Sequence, residues 1–144
     1  MNTKHVPDRE HCQELDRLCK EKGIVVPETE YTWYRKSYTD EYRLLAKDGY
    51  DSSMYEAEGW IKTFPAPLVS EQGECLPQRI AKNKGQQIWA LQCFKKMHNG
   101  KEEWFTRYEN VEGTGFLNMQ DPAEANARQK MLNYLIAEGI ITKL

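Results

Sequence analysis

The stretch Ile88-Trp89-Ala90-Leu91-Gln92-Cys93-Phe94, followed by Asn99-Gly100 and then Trp104-Phe105-Thr106-Arg107-Tyr108, decides the fold. Both flanks are rich in β-branched and aromatic side chains, which suit a pleated, half-buried surface. Asn-Gly between such flanks is the strongest short hairpin signal, because a tight type I′ turn needs positive φ at both central residues. A two-residue turn makes His98 face Lys101. The register then groups Leu91, Cys93 and Lys95 with Trp104, Thr106 and Tyr108 on one face. Phe94 and Phe105 meet on the other face, near Gln92 and Arg107. The first face carries more large apolar groups and is assigned to the core. Residues 78–82 and 114–118 are candidates for flanking strands.

Downstream, Asp121-Pro122-Ala123-Glu124 reads as a helix start, with Asp121 as cap, Pro122 at the first helical position and Glu124 closing a capping box. Ala125, Leu132, Leu135 and Ile136 give an apolar stripe, with Met131 at its edge. Gly139 stops the helix, and Ile140 or Ile141 folds back on it. Near the other end, Asp8 caps a helix whose buried face is Cys12, Leu15, Leu18 and Cys19, and Gly23 terminates it. Tyr31-Thr32-Trp33-Tyr34 predicts a strand over 30–37, with Tyr31 and Trp33 on one face and Thr32 and Tyr34 on the other.

Residues 37–60 read least clearly. They hold Tyr38, Tyr42, Tyr50 and Tyr55 among six acids and two bases. Tyr42–Ala46 fits a short strand or one helical turn. Trp60–Phe64 leads into Pro65-Ala66-Pro67, whose prolines impose an extended entry. A short helix follows over 68–75, with Ser70 as its cap, and ends at Leu76-Pro77. The order predicts an α+β fold: an antiparallel meander of three to five strands, N- and C-terminal helices packed on one face, and a short helix before the meander.

At 144 residues the chain fits one domain, 1–144. Apolar residues make up 40%, and sixteen aromatics argue against disorder. The composition excludes a membrane span, a collagen-like chain and a disulfide miniprotein. The N-terminus lacks the apolar stretch of a secretory signal, so a cytoplasmic protein with reduced thiols is expected. Cys12 and Cys19, seven residues apart on one helical face, read as small core residues rather than metal ligands.

Three segments carry a resemblance. Pro65-Ala66-Pro67-Leu68-Val69-Ser70-Glu71-Gln72-Gly73-Glu74-Cys75-Leu76-Pro77 is similar to an "APTLAEL…LP" pattern. Asp121-Pro122-Ala123-Glu124-Ala125-Asn126-Ala127 through Leu132-Asn133-Tyr134-Leu135-Ile136-Ala137-Glu138-Gly139 resembles an "NPADA…LLxxLxExG" ending. Leu18-Cys19-Lys20-Glu21-Lys22-Gly23-Ile24, followed by Tyr31-Thr32-Trp33-Tyr34, is similar to the opening of the same proteins. They are small uncharacterised proteins encoded by bacteriophages and prophages. Gln72 stands where they usually have leucine, and Cys75 where a large aromatic is common. The resemblance implies a bacterial host cytoplasm and no mechanism, and it assigns no functional residue.

The clearest functional signal is charge placement. From Cys75 to Lys101 there is no acid, while Arg79, Lys82, Lys84, Lys95, Lys96 and Lys101 give a local charge of +6 in a chain of −2. Trp89, Phe94 and Phe105 lie in or beside this stretch. Basic, aromatic-bearing sheets hold single-stranded nucleic acid by phosphate contact and base stacking. Alternation argues against that use, since Trp89 and Phe94 point to opposite faces, as do Lys95 and Lys96. The acidic 37–60 segment is also a candidate to lie over the hairpin and neutralise it.

No catalytic or metal-binding constellation and no cofactor motif emerges. His11 and Cys12, adjacent on a helix, diverge by about 100°, His5 reads as part of a frayed terminus, His98 reads as an exposed turn residue, and Gly113-Thr114-Gly115 lacks the lysine and helix of a phosphate loop. Cys93, beside Trp104, is expected to have a raised pKa. Tyr50 and Tyr55 are candidate contact residues, because tyrosine is favoured at binding surfaces. The leading expectation is a non-enzymatic phage or prophage accessory protein acting by protein–protein contact. Single-strand nucleic-acid binding through 79–101 is the alternative, and a small hydrolase the third.

Overall fold

The structure, a computed structural model, describes residues 5–47, 52–82, 87–110 and 115–144. Helix α1 spans Arg9–Lys22, strands β1 and β2 span Tyr31–Lys36 and Tyr42–Ala46, and helix α2 spans Ser52–Ala57. Strand β3 is Trp60–Ala66, helix α3 is Val69–Cys75, and strand β4 is Arg79–Lys82. Strands β5, β6 and β7 are Gln87–His98, Lys101–Asn110 and Phe116–Asp121, and helix α4 closes the fold at Glu124–Ala137. The class is α+β. All pairings are antiparallel, in two sheets: β2-β1-β3 and the meander β4-β5-β6-β7.

The hairpin forms in the register read from Asn99-Gly100. His98 pairs with Lys101, Phe94 with Phe105, and Leu91 with Tyr108. Asn99 and Gly100 have φ of 51° and 78°, the two positive values of a type I′ turn. No atom lies within 4 Å of where a Cβ on Gly100 would sit. Gly100→Ala is therefore expected to destabilise by about 1 kcal/mol from backbone conformation alone. A urea titration checks this, with the midpoint moving and the slope unchanged.

The inner face of the meander carries Ile80, Trp89, Thr106 and Tyr108, all buried, and α4 packs across β6 and β7 on that side. Leu15, Leu18 and Cys19 of α1 join the same cluster through α4, and α1 also touches β3. Nine of the fourteen α4 residues are buried. Met131, expected at the stripe's edge, is fully buried, because α1, α3 and the sheet enclose the helix from several sides. Gly139 ends this region at φ 73°, and Ile141 folds back into the core with its N–H bonded to Leu135 O.

Three expected caps are corrected. Asp8 Oδ2 accepts from Asn126 Nδ2 at 2.9 Å rather than capping α1, and its backbone N–H donates to Asn126 Oδ1 at 2.7 Å. The Asp8 carboxylate thus joins α1 to α4. Asp121 lies three residues before the start of α4, taking the Ala123 N–H at 2.9 Å and pairing with Lys130 at 2.8 Å. Burial alone would raise its pKa, but the bonds from Lys130, Ala123 and Asn126 hold it below the usual value. Glu124 closes no box and pairs with Arg128 instead. At α3, Ser70 is exposed and Leu68 precedes the helix. Glu71 supplies the bond expected of a cap, accepting the Leu68 N–H at 2.7 Å.

The unreadable segment resolves into part of the first sheet. Tyr42–Ala46 is a strand, pairing with β1. β3 runs through Pro65, which its edge position tolerates because no ladder bond is required on the outer side. Trp33, Leu44 and Phe64 pack towards Val6 and Cys12, while Tyr34, Leu45 and Trp60 form a second cluster on the opposite face with Tyr55.

Candidate functional site

The outer face of the meander is built by alternation. Residues of β5 and β6 not used for the core point away from α4, and β7 adds Phe116, Asn118 and Gln120 in register. Across the strands, one row holds Arg79, Ala90, Glu109 and Phe116, the next Gln92, Arg107 and Asn118, and the next Phe94, Phe105 and Gln120. Lys96 faces Glu103 further along. No helix with a substantial contact to the sheet lies on this side among the described residues.

Five planar groups stack along it. His98 meets the edge of Phe105 at 6.2 Å, and Phe105 stacks on Phe94 at 5.2 Å and 7°. The Arg107 guanidinium then lies 5.2 Å from the Phe94 ring and 4.2 Å from the Phe116 ring. Cross-strand ring pairs and cation–π contacts of this kind each contribute on the order of 0.5–1 kcal/mol at partly exposed sites. The stack leaves ring edges outward. Phe105 is only 5% exposed although it lies on the outer face, whereas Phe116 is 58% and Ile88 47% exposed.

The residues expected from sequence divide sharply. Arg79 and Lys96 share the outer face, and Lys101 stands exposed beside the turn. Lys95 points to the opposite face, where Glu102 of its own hairpin pairs with it at 2.9 Å and Trp104 lies beneath it. Lys82 ends β4, and its side chain lies outside the described structure, as do Lys84 and Tyr50. Trp89, read as one of three aromatics beside the basic stretch, belongs to the core. Tyr55 packs at a tilt against Tyr34, 5.7 Å between ring centroids, over the other sheet and away from the hairpin lysines. The described part of the acidic segment belongs to that sheet too, through β2 and α2, and not to the hairpin.

Sequence reasoning did not single out Arg107, Ile88 or Phe116 as site residues. The signal for Arg107 was available, since the hairpin register sets it diagonally beside Phe94. Phe116 required the β6–β7 register, which no turn motif announces.

A concavity of about 760 Å3 lies between the end of α1, residues 24–29 and the first sheet. Lys20, Lys47 and Lys62 line it, but Asp16 pairs with Lys20 at 2.7 Å and Glu28 with Lys47 at 3.1 Å. Two of its three cations are therefore already neutralised.

The thiols are poor nucleophiles. Burial pushes Cys12 up to about 12 and Cys19 up to about 11, and raises Cys75 and Cys93 as well. Among the described residues no three His, Cys, Asp or Glu side chains converge as metal ligands, and no helix is long and apolar enough to cross a membrane. Comparison with known families, curated proteins and solved structures finds no match to this chain.

Proposed function

We propose that this chain is a non-enzymatic binding protein, and that a protein partner docks on the outer face of β4-β5-β6-β7. The observation that carries the reading is the stack itself. Phe94 stacks on Phe105 and also meets the Arg107 guanidinium, which lies over Phe116 as well. What remains outward is apolar edge, with Ile88 and Phe116 most exposed. An apolar centre with aromatic and arginine anchors and a rim of both charges is the anatomy of a protein interface. Arg79 and Lys96 lie here with Glu103 and Glu109, so the face is mixed rather than uniformly basic.

Single-strand nucleic acid fits less well. Stacking needs free ring faces, and a phosphate track needs cations on one side. Here the rings cover one another, and Lys95 leaves the track to pair with Glu102. The resemblance to phage and prophage proteins suggests a bacterial setting for the partner, and the raised thiol pKa values favour binding over nucleophilic catalysis.

Quantitative affinity capture from bacterial host extract tests this. Ile88→Asp is expected to reduce recovery of the specific partner at least roughly tenfold, equivalent to about 1.4 kcal/mol. Tyr38→Asp, a fully exposed site on the β1–β2 turn, is expected to leave it unchanged. Equal recovery by wild type and Ile88→Asp overturns the assignment. So does low-salt oligonucleotide binding that Ile88→Asp abolishes.

A further inference from the structure

The cations on the outer face of the meander differ in their neighbours. Lys96 stands directly opposite Glu103. Arg107 is paired with Gln92 on β5 and Asn118 on β7, an amide on either side. Glu109 shares its face two residues along β6, but the Gln92 amide holds that carboxylate at 3.0 Å. Among the described residues no carboxylate oxygen lies within 4.0 Å of the Arg107 guanidinium.

Arg107 is nevertheless held in place. The register sets Phe94 and Phe116 diagonally on opposite sides of it, and its Cζ lies 5.2 Å and 4.2 Å from their ring centroids. Its Nε donates to Asn118 Oδ1 at 3.3 Å. That leaves Nη1 and Nη2. Neither donates a hydrogen bond among the described residues, and neither is sealed from solvent. A guanidinium already stacked and oriented loses little further rotamer freedom on binding. The two Nη groups at its free end match the two oxygens of one carboxylate.

We propose that Arg107 receives a carboxylate of the protein partner, an aspartate or glutamate side chain flanked by apolar residues. This rests on the reading of the outer face as the docking face, and names the chemistry that the face takes. The apolar flanks follow from Ile88 and Phe116, the most exposed large apolar groups of the same face. A single acid, rather than a run of them, follows from the surrounding charges. Along β6, Glu109 lies on one side of Arg107 and Glu103 lies beyond Phe105 on the other. A polyanion laid along the strand therefore meets a like charge at each end, whereas one carboxylate meets a cation that has no acid of its own.

Surface plasmon resonance with the full chain, up to submillimolar concentration, tests this. One capped peptide carries a single aspartate between leucine and isoleucine residues, and its counterpart has asparagine there. Wild type is expected to bind the aspartate peptide at least roughly tenfold more tightly. Arg107→Gln is expected to bind both peptides equally, at the asparagine level. Arg107→Lys keeps the charge without the flat, stacked fork, and is expected to lose most of the preference. Each preference is a ratio within one protein, and unchanged thermal unfolding of the variants shows that they fold. Ile88→Asp is expected to weaken both peptides. Wild type that binds neither peptide, or both equally, overturns the carboxylate assignment. In the second case, weakening of both by Ile88→Asp leaves docking on this face standing. A preference that Arg107→Gln retains also overturns the assignment, as does tighter binding of a single-stranded oligonucleotide that Arg107→Gln abolishes.

Discussion

Tyr108→Ala is expected to lower the unfolding free energy by about 3–5 kcal/mol, the range for deleting a buried aromatic ring. Tyr108 has no exposed surface and sits near the C-terminal end of β6, in one cluster with Ile80, Trp89, Leu135 and Ile136. Its hydroxyl donates to Pro77 O at 2.6 Å, tying the sheet to the turn that ends α3. Burial, with a smaller contribution from Cys93, raises its pKa, so the hydroxyl stays a donor through the ordinary pH range. The ring and the hydroxyl can be separated. Tyr108→Phe keeps the packing and removes one hydrogen bond, for an expected cost of about 1 kcal/mol. Urea titrations of both variants check this. If Tyr108→Phe costs as much as Tyr108→Ala, the bond to Pro77 dominates and the packing account fails.

The hairpin that holds Tyr108 was legible because its signal is local. Asn99-Gly100 specifies a turn, the turn specifies a register, and the register assigns faces to ten side chains at once. β3 was obscure for the opposite reason. Pro65 reads as a breaker unless the strand is known to be an edge, which is a property of the sheet and not of the segment. β2 is five residues with Arg43 at its second position, and it becomes a strand only because β1 offers a ladder. The cap assignment failed at Asp8 because its carboxylate bonds Asn126 of α4 rather than the first turn of α1, and at Asp121 because it stands outside the cap position, where it takes the Ala123 N–H and the Asn126 amide.

The candidate site was half legible. Alternation separated Lys95 from Lys96 and placed Phe94 with Phe105. Apolar content assigned the face of Trp104, Thr106 and Tyr108 to the core, and α4 covers that face by packing across β6 and β7. The charge run misled because sequence proximity of six cations is not spatial proximity: the pleat divided them, and Glu102, Glu103 and Glu109 entered from the neighbouring strand. Ile88 and Phe116 matter through exposure, which a single apolar residue in a strand does not announce.

Helix α4 shows the remaining gap, and it carries the second large effect. Gln129→Leu is expected to destabilise by about 2–4 kcal/mol, although leucine is the usual choice for a buried helical position. Gln129 has no exposed surface, accepts from Gln72 Nε2 at 2.9 Å, and donates to Asn133 Oδ1 at 2.8 Å. Asn133 Nδ2 in turn donates to His11 O at 3.0 Å. This chain of amides runs from α3 through α4 to α1 and fixes how the helices sit along one another, which apolar contacts alone leave free to slide. Removing Gln129 orphans a donor on Gln72 and an acceptor on Asn133. Removing Gln72 is different, because its Oε1 already lacks a donor among the described residues. Gln72→Leu removes that orphan but gives up the bonds from Nε2 to Gln129 Oε1 and to Ala125 O, and is expected to cost about 1–2 kcal/mol. The two substitutions share a bond, so the double variant is expected to be about 1–2 kcal/mol less destabilised than their sum. Equal single costs that add fully in denaturant titrations would show the amides to be independent, and the axial fit of α1, α3 and α4 would then rest on packing alone.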